Sequence, residues 1–338
     1  MRLLFITSNR IGDAILSTGI LNYLSQAYPH SKITVAAGPL AAPLFQEVPN
    51  LEKIISFEKK SYGKHWFMLW GKTLFKKWDM VVDVRGSLVS YFLWTGKRYV
   101  WSAQKEKAGH RAEALAALLN LKVIPNPKIW VTAQHQHQIQ QLMGISQEGK
   151  KRVKNLKKNV EEKKTLIALG MGANWRGKIW RIENFIALVK KMKADQELFP
   201  NCRFVLLGGP DERHLIDAFL KEFKKEEIID LMGKVDLLMA FAALKNVDMF
   251  IGNDSGLMHL AAAAEIPTVG LFGPSRIEHY RPWGEKSTYV TTDLSYEELI
   301  AGPGYDPKTT DTLMDSLSVE KVFRTLKNLR QKFSKEFS

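Results

Sequence analysis

The chain has 338 residues, enough for two domains of ordinary size, and its 45% hydrophobic and 25% charged residues argue against wholesale disorder, collagen-like repeats and a membrane-spanning architecture. A net charge of +14 and a pI near 9.6 favour polyanionic partners: nucleic acid, an anionic lipid surface or a phosphorylated glycan. The single cysteine, Cys202, rules out an internal disulfide and a cysteine metal cluster, in keeping with a reducing cytoplasm.

The apolar block Leu3 to Ile6 is too short for a signal-peptide core and runs into Thr7, Ser8, Asn9 and Arg10, so it reads as a first strand. An amphipathic stretch Ala14 to Tyr28, a strand Ile33 to Ala36 and a strand Met80 to Val84 follow. Alternating strands and helices predict a parallel sheet covered on both faces, with ligands at the carboxyl ends of its strands. The first such loop carries Arg10, Gly12 and Asp13. It lacks the G-x-G-x-x-G spacing of a dinucleotide site, so no NAD is expected. Asp13 has two readings: a cap on the helix start, or a carboxylate that takes a proton from a sugar hydroxyl.

Two segments, Tyr62 to Trp78 and Tyr91 to Trp101, mix tryptophan and phenylalanine with lysine and arginine. They suit either a membrane interface or a core whose edge is covered by long basic side chains. After the strand at Met80 to Val84 come Arg85, Gly86 and Ser87, and further on His110 and Arg111 open a helical stretch. Arginine matches carboxylate and phosphate with two parallel hydrogen bonds, so Arg10, Asp83, Arg85, His110 and Arg111 are candidate contacts to an acidic sugar acceptor; the competing reading is structural salt bridges. His135 and His137 sit in a glutamine-rich helical stretch without companion carboxylates and read as surface residues, so no metal site is expected.

The run Lys150, Lys151, Arg152, Lys154, Lys157 and Lys158 reads as a linker or an exposed helix, after which the pattern restarts. Strands are predicted at Thr165 to Leu169, Phe204 to Leu207, Met249 to Ile251 and Thr268 to Leu271, with helices at Asn184 to Lys193, Glu212 to Phe223, Leu237 to Leu244 and Leu257 to Ala264. A last amphipathic helix starts near Ser318. Domains are thus expected over residues 1–155, 156–317 and, as a terminal helix, 318–338.

Two loops of this second half carry chemistry. A hairpin expected at Gly170 to Arg181 places Arg176, Lys178 and Arg181 between Trp175 and Trp180; a lysine there can neutralise charge on a departing diphosphate without metal, and the chain has no Asp-x-Asp pair. The run Gly252, Asn253, Asp254, Ser255, Gly256 leads from a strand into a helix of small residues that includes His259. Its backbone amides and dipole suit a diphosphate, and Asp254 suits sugar hydroxyls; the alternative is a structural turn with His259 in the core.

Taken together, Gly12-Asp13, the segment Trp78 to Ser87, the segment Gly172 to Trp180 and the block Asn253 to Pro274 resemble glycosyltransferase family 9, the ADP-heptose:lipopolysaccharide heptosyltransferases and their relatives. The resemblance spans nearly the whole chain. It implies an α/β GT-B fold, with two Rossmann-like domains facing across a cleft and a C-terminal helix returning to the N-terminal domain. It also implies inverting transfer of a heptose-type sugar without metal or other cofactor, the ADP-sugar being a substrate. By position, Asp13 matches the catalytic base, Lys178 the phosphate-contacting lysine, and Gly12, Asp254, Ser255, Gly256 and His259 the donor site. Asn174 matches a diphosphate contact, Glu212 a ribose contact and Val235 an adenine contact. The family often has proline where this chain has Gly19, and a Trp-Pro pair where it has Trp180-Arg181. The implied partners are the nucleotide-sugar donor, an anionic lipopolysaccharide core acceptor and, peripherally, the inner face of the cytoplasmic membrane, with no nucleic acid. A sugar-nucleotide epimerase and a non-enzymatic basic glycan- or nucleic-acid-binding protein are the competing classes.

Overall fold

A computed structural model describes residues 1–58, 64–102, 109–145, 165–302, 305–306 and 310–337. The lysine-rich run 150–158 lies outside them. Contacts divide the chain into two units, Met1–Val131 and Thr132–Ser338.

In the first unit, strands β1 (Arg2–Ile6), β2 (Lys32–Ala37), β3 (Leu51–Ser56), β4 (Trp78–Asp83) and β5 (Thr95–Val100) form a sheet in the order β3-β2-β1-β4-β5. Every pairing is parallel. The central strands β1, β2 and β4 are almost wholly buried, as expected where both faces of a parallel sheet are covered. Helices α1 (Ile11–Ala27), α2 (Lys64–Thr73) and α3 (Arg111–Leu118) supply that cover. Leu4, Ile6, Phe57, Leu69, Trp78 and Val81 pack into one cluster, each buried side chain contributing about 1.5–3 kcal/mol relative to exposure. Gly19 sits mid-helix in α1 because a Cβ there would lie 2.4 Å from the carbonyl oxygen of Pro125. That close approach, fixed further by the Lys128 amide donating to Thr18 Oγ1 at 2.9 Å, accounts for glycine at this position.

The second unit opens with α4 (Ala133–Met143), followed by β6 (Leu166–Gly170), α5 (Ile182–Ala194), β7 (Arg203–Leu207), α6 (Asp217–Glu222), β8 (Ile228–Asp230), α7 (Leu237–Leu244), β9 (Met249–Asn253), α8 (Gly256–Ala263), β10 (Thr268–Phe272), α9 (Ile277–Tyr280), β11 (Ser287–Thr291), α10 (Tyr296–Ala301) and α11 (Val319–Phe337). Its sheet, again all parallel, has the order β11-β10-β9-β6-β7-β8.

Two expectations are corrected. The unit boundary falls at 131/132 rather than 155/156, because α4 packs on α7 and exchanges side-chain hydrogen bonds with Asn246 through Gln136 and Gln140. In the terminal helix Val322, Leu326 and Leu329 are part of the second unit's core, where α11 packs on α5 and β11. Ion pairs Lys191–Glu320 (2.8 Å) and Lys327–Asp195 (3.1 Å) flank that contact. The single helix expected over Glu212 to Phe223 begins instead as a 3-10 stretch, Pro210–Ile216, before α6.

Candidate active site

Each sheet reverses its strand order once, between β1 and β4 in the first unit and between β6 and β9 in the second. Ligands of open α/β sheets bind outside the carboxyl ends of the strands at such switch points. The loops that leave these four strands hold most of the sequence-selected residues.

In the second unit, β6 and β9 end side by side at Gly170 and Gly252. A Cβ on Gly252 would stand 2.6 Å from the Gly170 carbonyl oxygen, so the strands close only with glycine there. The next residue, Asn253, is fully buried and staples the two loops: its Nδ2 donates to the Met171 carbonyl at 2.7 Å and its Oδ1 accepts from the Trp180 amide at 3.2 Å. Asp254 follows, its side chain 7% exposed, and its Oδ2 accepts from Lys178 Nζ at 2.6 Å and from Ser275 Oγ at 2.6 Å. Ser255 takes extended backbone ahead of α8 and makes no side-chain cap; its buried Oγ has no hydrogen-bond partner among the described residues. Gly256 opens α8, whose first-turn amides are the donors a helix leaves unpaired, and His259 is buried one turn further in.

Lys178 is carried not by a hairpin, as expected, but by a loop with one 3-10 turn, Arg176–Lys178. The segment just before α11 holds that loop. Leu313 donates its amide to the Gly177 carbonyl at 2.9 Å, Thr312 Oγ1 donates to Ile179, and Trp180 Nε1 donates to the Leu317 carbonyl at 2.8 Å. Arg176 pairs with Asp311 at 2.7 Å, and Arg181 binds Asp315 through two nitrogens at 2.6 and 2.9 Å. With Lys178 24% exposed and Asp254 nearly buried, the pair forms a held cation beside a helix N-terminus.

The donor-side residues on looser footing lie at the same edge of this sheet, one per loop. Asn174 follows β6 and is exposed. Glu212 follows β7; its Oε2 accepts the Gly209 amide at 2.9 Å, and its carboxylate lies where a Cβ of Gly172 would have to be. Burial pushes the Glu212 carboxyl above its usual range against that hydrogen bond. Val235 follows β8 and is half-buried, next to Asp236, the cap of α7. A cleft of about 540 Å³ in this unit is lined by Arg176, Trp180, Arg181, His214 and Asp311; neither Lys178 nor Asp254 lines it.

In the first unit, the loop after β1 and the loop after β4 meet. Ser8 Oγ accepts the Arg10 amide at 3.1 Å and donates to Asp13 Oδ2 at 3.4 Å, while Asn9 Oδ1 accepts from Arg85 Nη1 at 3.0 Å. Asp13 is the third residue of α1; the cap position is Arg10, which makes no side-chain cap bond. The Arg85 guanidinium lies 5.1 Å from the Trp66 ring and 5.9 Å from Phe57. Burial pushes it below its usual value, opposed by the nearby Asp83 and Asp13 carboxylates.

Asp83 and His110, expected as acceptor contacts, are both buried and hydrogen-bonded within their own loops. Asp83 is fully buried and spends both oxygens on its own loop: Oδ1 accepts the amides of Arg85 (2.9 Å) and Gly86 (3.1 Å), and Oδ2 accepts from the Ser87 amide (2.9 Å), the Ser87 hydroxyl and Ser90 Oγ (3.0 Å). Burial still dominates and raises its pKa. The effect is to shape the turn that presents Arg85. His110 is buried as the cap of α3, its Nδ1 accepting the Ala112 amide at 3.1 Å while Glu113 accepts the His110 amide at 2.9 Å. Arg111 is half-buried over the Trp101 ring, 3.7 Å from its centroid, and donates to the Val84 carbonyl at 3.3 Å. Arg10 is exposed. His135 is engaged with Thr132 at the start of α4, and His137 contacts Gln141. Among the described residues no group of three or more His, Cys, Asp or Glu is placed to hold a metal ion.

Ser8, Asn9, Asn253 and Ser275 complete these clusters, and none of them was singled out from the sequence as a site residue. Asn253 lies inside the block that carries the family resemblance and Ser275 directly follows it, which is the one signal that reaches them.

Two doubly wound parallel sheets, each with a polar cluster at its switch point, have the GT-B fold. The chain belongs to glycosyltransferase family 9 (heptosyltransferase), whose sequence profile matches residues 67–299. Among curated relatives, lipooligosaccharide heptosyltransferase 2 of Haemophilus influenzae is 26% identical over 322 residues, covering 86% of this chain and 88% of its own. Among solved structures, the ADP-heptose lipopolysaccharide heptosyltransferase II of E. coli superposes with a TM-score of 0.71 at 21% identity, covering 99% of this chain and 100% of its own. A family 9 glycosyltransferase of Veillonella parvula superposes with a TM-score of 0.73 at 20% identity, over 98% and 97%.

Proposed function

We propose that this transferase moves a heptose-type sugar from ADP-heptose to a lipopolysaccharide core acceptor, with inversion at the anomeric carbon and without a metal. The Asp13 carboxylate takes the proton of the acceptor hydroxyl, whose oxygen attacks the anomeric carbon. The bond from that carbon to the diphosphate oxygen breaks, and ADP leaves with the bonding pair. Lys178 and the first-turn amides of α8 meet the charge that develops on the leaving diphosphate. Asp254, nearly buried and already an acceptor of two hydrogen bonds, accepts from hydroxyls of the donor sugar once Lys178 turns to phosphate. Glu212, Asn174 and Val235 contribute to holding the nucleotide, and Arg85 and Arg111 to recognising an acidic acceptor.

The observation that carries this reading is the Lys178–Asp254–Ser275 cluster at the N-terminus of α8, where a restrained cation, a nearly buried carboxylate and helix amides coincide. The Asp13 assignment is supported by its freedom from capping, with Ser8 Oγ at 3.4 Å. The names of the relatives support the donor and acceptor. The same reading places the enzyme in the cytoplasm, peripheral to the inner membrane; no helix of the described residues is long and apolar enough to cross a membrane.

A thermal-shift screen of nucleotide-sugars tests the donor, because a ligand that binds only the native state raises the melting temperature by mass action. ADP-heptose should stand out from UDP- and GDP-sugars. Stabilisation by a UDP-sugar alone overturns the donor, and conversion of the sugar-nucleotide to an epimer without any acceptor overturns the transfer reaction.

A further inference from the structure

Six large apolar side chains of the first unit stand in solvent between positions 67 and 94: Phe67, Phe75, Leu88, Tyr91, Phe92 and Trp94, from 56% exposed at Tyr91 to 92% at Phe75. Apart from Trp70 beside them, the other exposed large apolar side chains among the described residues are spread along the chain. Helix periodicity explains the first of these. Leu69 and Thr73 face inward from α2, with Trp66 packed on the core, so Phe67 and Trp70 are left on the outer side. The chain then brings residues 88–94 to the same neighbourhood. The Trp78 amide donates to the Trp94 carbonyl at 2.9 Å, Lys77 Nζ lies 5.4 Å from the Trp94 ring, and α2 contacts the turn at 88–92. Arg98 lies 5.8 Å from the Tyr91 ring and donates to the carbonyls of Ser90 and Leu93 at 2.8 and 3.0 Å.

This neighbourhood is also cationic. Between positions 64 and 101 stand seven lysines and arginines against two aspartates, and one of these, Asp83, is buried in its own loop. An exposed apolar patch of this kind marks an interaction site, and rings interleaved with lysine fit one partner best, a bilayer interface whose headgroups are anionic. Strand addition by another protein is disfavoured, since the outer edge belongs to β5, where Gly96 and the basic residues Lys97 and Arg98 are exposed.

We propose that this face of the first unit docks on an anionic bilayer surface, with Phe75, Phe92 and Trp94 entering the headgroup boundary and Lys72, Lys77 and Lys97 meeting lipid phosphates. The docking is a property of the protein surface and does not depend on which donor or acceptor the enzyme uses.

The test is co-sedimentation of the full chain with phosphatidylcholine vesicles and with vesicles that also contain phosphatidylglycerol. Binding to the anionic vesicles alone, falling as salt rises, is expected. Phe92→Ser with Trp94→Ser, and separately Lys77→Glu with Lys97→Glu, should each weaken it by about tenfold or more. Circular dichroism and melting temperature should stay native, because the replaced side chains are exposed, and the melting response to ADP-heptose should be unchanged. Equal binding to both vesicle types, or binding indifferent to all four substitutions, overturns the proposal. So does a dimer, seen by analytical ultracentrifugation and dissolved by the same substitutions, without vesicle binding; that result gives the face to a second copy.

Discussion

Replacing Lys178 tests the second-unit cluster in two independent ways. At 2.6 Å the Lys178–Asp254 attraction is on the order of 6 kcal/mol before desolvation, with an effective dielectric near 20. Truncating one partner of a fully buried pair costs about 3–5 kcal/mol, because a charge is left without compensation. Here Lys178 is 24% exposed, so water reaches the gap, and Asp254 keeps the Ser275 hydroxyl; about 2 kcal/mol is the reasonable cost of Lys178→Ala. For a unit of this size that is a fall of roughly 4–8 °C in melting temperature. Asp254→Asn leaves only a partly hydrated ammonium and should cost about 1 kcal/mol or less. The double variant removes the stranded carboxylate and should therefore melt above Lys178→Ala alone, which differential scanning calorimetry resolves. Turnover of Lys178→Ala at saturating donor should fall by about tenfold to a thousandfold. A double variant no more stable than Lys178→Ala refutes the electrostatic account, and undiminished turnover removes Lys178 from the reaction.

The remaining predictions address the other groups. Asp13→Asn should lower transfer at least about a hundredfold while the melting temperature and donor-induced shift stay near native; near-native transfer returns Asp13 to a structural role. Asp83→Asn, although isosteric, turns an NH₂ toward hydrogen-bond donors and should cost about 2–3 kcal/mol in urea unfolding, and a neutral variant would contradict the loop geometry. At Asp230, burial pushes the carboxyl up, but hydrogen bonds from Lys234 and Arg213 outweigh it and the net direction is down. Its folded-state pKa is thus depressed, so its contribution is present above the ordinary aspartate range and lost as pH falls through and below it. Asp230→Asn should then flatten the acid limb of stability against pH, and an unchanged limb measured by urea titration would show that the pair contributes nothing.

The central strands were legible because parallel strands buried on both faces read as unbroken apolar runs, as at Leu3 to Ile6 and Phe204 to Leu207. The outer strands were not. Leu51–Ser56 and Thr95–Val100 lie at sheet edges, where lysine, glutamate and glycine interrupt the run and the pattern resembles a loop. Among candidate site residues, Lys178 and Asp254 stood out because each follows a strand in a glycine-rich turn. Their contact spans 76 positions, however, and the Ser275 contact 21, and no local pattern encodes such pairings. The local bonding of Asp83 and His110 was illegible for a related reason. A carboxylate folded back onto its own loop and one pointing outward share the same neighbours in sequence, and only the hydrogen bonds separate them.

The strap ahead of α11 ties two stretches about 135 positions apart, Arg176 to Arg181 and Asp311 to Leu317, through charges of opposite sign and through backbone carbonyls. Their sequences are consequently not free to drift separately. Reversing the charge at Asp315 alone sets two cations against each other, whereas the same change accompanied by an acid at position 181 preserves the attraction. A cut between the strap and the core would leave every residue of the cation-bearing loop in the polypeptide and still undo its geometry, so enzymes grafted or truncated near residue 310 would inherit the Lys178 sequence without the clamp that holds it.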